Sequence, residues 1–160
     1  EVTRARIDHL EGIISLFPWV AMLDSFQHRL YTHPGHSRDE RRQTWLGIMD
    51  RFGTGQIDWT GLEEIRAHRW MRQSHLFGVP FYYVEYAIAQ LGALQVWRNH
   101  RNDADEAIRL YRNGLSKGNT VTLPQLYEET GIRFDFSFEN LSDLIGMVRE
   151  EIENLEGAGV

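Results

Sequence analysis

Apolar residues recur at three- and four-residue spacing along most of this 160-residue chain, and nowhere do they alternate over more than a few positions. That period belongs to helices with one buried stripe, and it leaves no segment suited to a half-buried strand. The longest run is Ile7, Leu10, Ile13, Ile14, Phe17, Val20, Leu23, Phe26 and Leu30. It predicts a helix over 3–31 whose stripe is broad enough to meet neighbours on two sides. Pro18 lies inside that run, where a missing N–H should kink the helix or split it in two.

Start and stop signals divide the rest. Ser37 and Glu40 have the spacing of a capping box, predicting a helix to about Phe52 with Trp45, Ile48 and Met49 turned inward and Gly53–Gly55 as its stop. Thr60 and Glu63 repeat the spacing, predicting a helix from about Gly61 that carries Leu62, Ile65, Trp70 and Met71. Gly78-Val79-Pro80 breaks the chain, and Pro80 suits the first turn of a helix reaching about Asn99, the most buried of the set. Asp103 is the expected N-cap of a helix through Leu115, with Ile108, Leu110 and Tyr111 inside. Thr122 and Gln125 open a short helix closed by Gly131. Phe134 to Phe138 read as a short extended piece whose aromatics plug a gap. A last amphipathic helix covers about Glu139 to Leu155, using Leu141, Leu144, Ile145, Val148 and Ile152, before a frayed tail at Gly157–Gly159. The fold class is all-α: one multi-helix domain over residues 1–160, with about seven helices and no internal repeat.

Composition matters here mainly for what it excludes. A net charge of −6, with no Lys/Arg stripe among the aromatics, argues against a nucleic-acid surface. The absence of cysteine rules out disulfides and thiolate zinc sites and fits a cytoplasmic location. No apolar run reaches the ~18 residues of a membrane span, because Glu85 and Gln90 interrupt the longest. The start is charged and helical in pattern, unlike a signal peptide, and opens on Glu1 rather than Met, which points to a fragment or a processed chain. Five tryptophans suggest large side chains filling wide gaps between helices.

One stretch carries chemistry. From His75 to Trp97 the chain places a histidine, a Gly-Val-Pro turn, and then Tyr82, Tyr83 and Tyr86 ahead of an almost uncharged helical run. Tyrosine and histidine each offer a proton on an otherwise apolar body. On residues alone, a tyrosine-rich packing helix with a satisfied core histidine is the plainer reading. The functional reading is a cluster of donors that holds a substrate carbonyl or oxyanion.

Other candidates are weaker. Asp50 to Gly61 has the outline of a calcium loop, yet Phe52 stands at its third position and Gly61 at its twelfth, where ligands are needed. A Gly-rich turn between helices accounts for it. His28, His33 and His36 cross a helix end and a Pro-Gly turn, so no helical face aligns them around a metal. Asp24 and Glu85 sit in apolar helices and call for structural partners such as His28, Arg29 or a tyrosine. The His-Glu-x-x-His metal helix, the Gly-x-Ser-x-Gly elbow, the P-loop and the dinucleotide fingerprint are all absent.

The chain resembles the C-terminal part of oligoendopeptidase F-type zinc metallopeptidases of the thimet oligopeptidase superfamily. The resemblance runs through Pro18-Trp19, Leu23-Asp24, Phe26-Gln27, Leu30-Tyr31, His33-Pro34 and Ile57-Asp58-Trp59. It is densest from His75 through Pro80-Phe81-Tyr82-Tyr83 and Tyr86 to Gly92, and continues at Tyr111, Leu115, Gly118, Leu123-Pro124 and Gly131 to Ser137. The resemblance implies a helical fold lining a peptidase channel, with this chain as one wall. It implies one zinc bound by a His-Glu-x-x-His helix and a further Glu, a zinc-bound water as nucleophile, and a later loop whose His and Tyr bind substrate and oxyanion. Carried onto this sequence, His75 binds substrate, and Tyr82, with Tyr83 and Tyr86 as the next candidates, is catalytic as oxyanion donor. The zinc ligands would lie outside this chain, so no metal is expected on the fragment, which should be inactive alone. The expected partners are a short peptide substrate and the upstream half of the catalytic domain. Neither nucleic acid nor membrane is expected, and the fragment could self-associate through an exposed apolar face. The alternative is a non-catalytic helical scaffold or interaction module.

Overall fold

The computed structural model describes residues 1–157, and those residues are all-α. The helices are α1 (Val2–Thr32), α2 (Arg38–Phe52), α3 (Glu63–His68), α4 (His75–Gly78), α5 (Val84–Asn102), α6 (Ala104–Lys117), α7 (Leu123–Glu129) and α8 (Phe138–Gly157). A 3-10 turn covers Arg69–Arg72. No strand occurs among the described residues. None of the described helices is long and apolar enough to cross a membrane. The expected tail lies outside the described residues, apart from Gly157, which ends α8.

The caps that depend on neighbours in sequence form as expected. The Ser37 amide donates to Glu40 Oε2 at 2.7 Å, and the Glu40 amide returns to Ser37 Oγ at 3.2 Å. The Ser37 amide first, and then the Ser37 hydroxyl, hold the Glu40 carboxyl below its ordinary range. Asp103 Oδ1 accepts from the Glu106 amide at 3.0 Å, and Gln125 Oε1 accepts from the Thr122 amide at 3.0 Å. Pro18 does not split α1, which runs as one helix on either side of it.

Four expectations need correction. The box at Thr60 does not form: the Thr60 amide goes to Asp58 Oδ1 at 2.9 Å, Glu63 Oε1 takes the Gly61 amide at 3.0 Å, and α3 starts only at Glu63. α5 starts at Val84 rather than at Pro80, because residues 79–83 form a turn whose Phe81 amide bonds elsewhere. Leu62, Ile65, Met71, Ile108 and Tyr111 are exposed, while Ala107 and Gly114 form the buried face of α6. Phe138 opens α8 and is 84% exposed, so it plugs nothing. Phe134 and Phe136 instead pack edge-to-face at 4.7 Å.

The described residues form two compact units, residues 15–87 and residues 1–14 together with 88–157. In the first, Met22, Leu23, Phe26, Trp45, Met49, Trp70 and Leu76 make the core. Trp45 is fully buried, meets Trp19 at 6.0 Å and Phe26 at 5.3 Å, and donates its Nε1–H to Arg66 O at 2.9 Å. Such aromatic pairs add about 0.5–1.5 kcal/mol beyond the area they bury. In the second unit, Leu91 and Leu94 of α5 and Leu144, Val148 and Leu155 of α8 are buried. There, buried Gln95 bridges the backbone of Arg133, donating to its carbonyl at 2.9 Å and accepting from its amide at 3.0 Å. The Tyr127 hydroxyl donates to Ile88 O at 2.7 Å.

Candidate functional site

All four residues singled out in the His75 stretch meet in residues 15–87. The single turn α4 begins at His75, and buried Leu76 ties that turn to the core. Val79 to Tyr82 then reverse the chain, with the Tyr82 amide donating to Val79 O at 3.2 Å. Tyr83 packs partly against the same core, and Tyr86 lies in the first turn of α5. The turn therefore folds Tyr82, Tyr83 and Tyr86 back around the imidazole.

The rings are close. The His75 and Tyr82 planes are parallel within 4° at a centroid distance of 6.1 Å. Tyr83 and Tyr86 meet His75 edge-on at 5.1 and 5.6 Å, and each other at 5.0 Å. Tyr82 and Tyr86 are both exposed, so the cluster is open to solvent. Glu85, expected to be buried and to need a partner, is exposed in the same turn.

Gln73 was not singled out from sequence, though it lies only two residues before His75. Its Nε2 donates to His75 Nδ1 at 3.1 Å. That bond fits the tautomer with the proton on Nε2, which then points to the Tyr86 hydroxyl oxygen at 3.1 Å. Tyr86 accepts there, which leaves its own O–H able to donate outward. The arrangement gathers phenolic donors beside an oriented imidazole.

The remaining candidates are held structurally. His28 Nδ1 bonds the Asp24 carbonyl oxygen at 2.9 Å and lies 3.3 Å from Asp24 Oδ2. His36 Nε2 accepts from Arg41 Nε at 3.0 Å, and its Nδ1–H donates to His33 O at 2.6 Å. In the loop resembling a calcium site, Asp50 pairs with Arg66. Asp58 is held below the ordinary carboxylate range by the Thr60 hydroxyl and amide. A cavity of about 570 Å³ lies beside that loop, lined by Arg42, Ile57, Trp59 and Arg66 among others. Among the described residues no three His, Asp or Glu side chains gather into a metal-binding group.

Residues 3–143 match the sequence pattern of Peptidase family M3. Among solved structures, PZ peptidase A with inhibitor 2 superimposes with a TM-score of 0.79 at 26% identity, taking in 92% of this chain and 26% of that one. A Bacillus anthracis str. Ames protein assigned as an oligoendopeptidase F superimposes with a TM-score of 0.73 at 23% identity, over 96% of this chain and 24% of that one. The second likeness is one of fold. This chain thus spans about a quarter of the length of either protein. No curated protein matches it.

Proposed function

Because the chain belongs to Peptidase family M3, we propose that it is the C-terminal part of a zinc metalloendopeptidase acting on short peptides, and that the His75–tyrosine cluster is its contribution to the site. In this reading Tyr82 donates to the oxyanion that forms on the scissile carbonyl, assisted by Tyr83 or Tyr86. His75 would turn its Nε2–H from Tyr86 to a substrate carbonyl, held in the right tautomer by Gln73. Donors fixed in place before the reaction stabilise a developing charge without reorganisation. The observation that carries the proposal is the convergence of three tyrosine rings on one oriented imidazole.

The ligands of the zinc ion are assigned to residues outside this chain. The chain alone should therefore not cleave peptides, and zinc-dependent cleavage by the purified chain would refute that assignment. The main test uses the protein expressed from its complete reading frame. Tyr82→Phe should lower turnover of a fluorescence-quenched short peptide by roughly 10²–10³, the scale of losing one oxyanion donor. Its melting temperature should be unchanged. Unchanged turnover, or a loss matched by lost stability, would instead favour a scaffold without chemistry.

A further inference from the structure

We propose that Gln27 is the positioning residue for the His75–tyrosine cluster, acting through the backbone of Phe81; this role rests on reading that cluster as the carbonyl- and oxyanion-binding site. Phe81 has φ 62, the left-handed region, and among the described residues it is the non-glycine residue found there. A bulky side chain in that region is an outlier that persists only where surrounding structure imposes it. Here the constraint comes from the end of α1. Gln27 Oε1 accepts from the Phe81 amide at 2.9 Å. The Phe81 ring packs on His28 at 5.0 Å and on Tyr31 at 5.1 Å, one and four residues further along the same helix.

Gln27 is 1% exposed, and its Nε2 finds no hydrogen-bond partner among the described residues. The amide cannot turn over to relieve this, because its oxygen must face the Phe81 N–H. A residue kept for packing alone would be apolar, since a buried unpaired donor is costly. The oxygen is therefore the functional part of this side chain. Tyr82 and Tyr83 follow Phe81 directly. If Phe81 relaxed to negative φ, the chain would leave the turn in another direction and carry both rings away from His75.

The test uses the protein from its complete reading frame and a fluorescence-quenched short peptide. Gln27→Met keeps the volume and removes the acceptor. We expect kcat to fall about 10–100-fold with KM changed by less than about threefold, since a misplacement near 1 Å can cost about a hundredfold. Hydrogen exchange at the Phe81 amide should accelerate. Phe81→Gly added to Gln27→Met should recover most of the lost kcat, because glycine accepts positive φ without a Cβ penalty. Tyr82→Phe added to Gln27→Met should cost only about tenfold more, well short of the 10²–10³ it costs alone, because that hydroxyl is already largely displaced. Losses that simply multiply, or no rescue by Phe81→Gly, would overturn the proposal. If Tyr82→Phe alone leaves kcat unchanged, the oxyanion reading fails, and the exchange rate decides whether Gln27 holds the turn. If Gln27→Met does not fold, Gln27→Glu asks the same question, since it keeps an oxygen and loses the Nε2 donor. Retained Phe81 protection with kcat within about threefold supports the acceptor role, and loss of both overturns it.

Discussion

Gly114 sits on the buried face of α6, opposite Thr130 at the end of α7. Adding one methyl group there tests the packing of those helices. A Cβ at Gly114 would lie 2.0 Å from Thr130 Oγ1, 3.1 Å from its Cβ and 3.5 Å from its Cα. Relaxed contacts lie near 3.5–4.0 Å, so the overlap with Oγ1 is about 1.5 Å. The hydroxyl is also held, donating to Leu126 O at 2.8 Å. Alanine in a helix interior is favoured over glycine by about 1 kcal/mol. Overpacking of this depth costs about 1–3 kcal/mol. Gly114→Ala should therefore destabilise the protein by a net of up to ~2 kcal/mol. With Thr130→Ala in place, the oxygen is gone and only the Cβ contact remains, which needs a shift of a few tenths of an ångström. Gly114→Ala should then be neutral or stabilising by up to ~1 kcal/mol. Urea unfolding followed by far-ultraviolet circular dichroism measures both differences. A Gly114→Ala effect equal in the two backgrounds within about 0.5 kcal/mol would refute the steric account.

Two further outcomes follow from the same interactions. Gln95→Leu leaves the Arg133 amide and carbonyl without their partner and should cost ~2–4 kcal/mol, read as a lower urea midpoint at an unchanged slope. Ser37→Ala should cost ~1 kcal/mol at neutral pH. Glu40 has a lowered folded pKa, so its share of the cap is complete above the unfolded carboxylate pKa and is lost as pH falls through the folded one. Ser37→Ala keeps the Ser37 amide bond to Glu40 and loses only the hydroxyl's share, so the gap between wild type and Ser37→Ala should narrow by that share below about pH 4, and a gap constant from pH 7 to pH 3 would count against it.

Much of the fold was legible because its signals are local. The Ser37–Glu40 box, the Asp103 cap and the Thr122–Gln125 bond each join residues three apart, and each set a helix start correctly. The Thr60 box failed by equally local competition, since Asp58 takes the Thr60 amide and leaves Glu63 to Gly61. Apolar spacing was a weaker guide to burial. Ile65, Ile108 and Tyr111 fit a stripe, yet each is exposed, because periodicity says which residues share a face and not whether another element covers it.

The candidate site divides the same way. Its members, His75, Tyr82, Tyr83 and Tyr86, stand within twelve positions and are plain in the sequence, as is the proton that each side chain carries. Their arrangement was not. Pro80 reads as a helix start, and no local signal places Phe81 at positive φ. That geometry depends on Gln27, 54 residues away, and a side chain's reach across such a separation exists only once α1 has packed beside the turn. The sequence by itself determined the all-α class, the caps at Ser37, Asp103 and Thr122, and the chemistry offered at the turn. The tertiary structure alone decided that the three phenols converge on one imidazole, because turns are set by hydrogen bonds to whatever packing brings near.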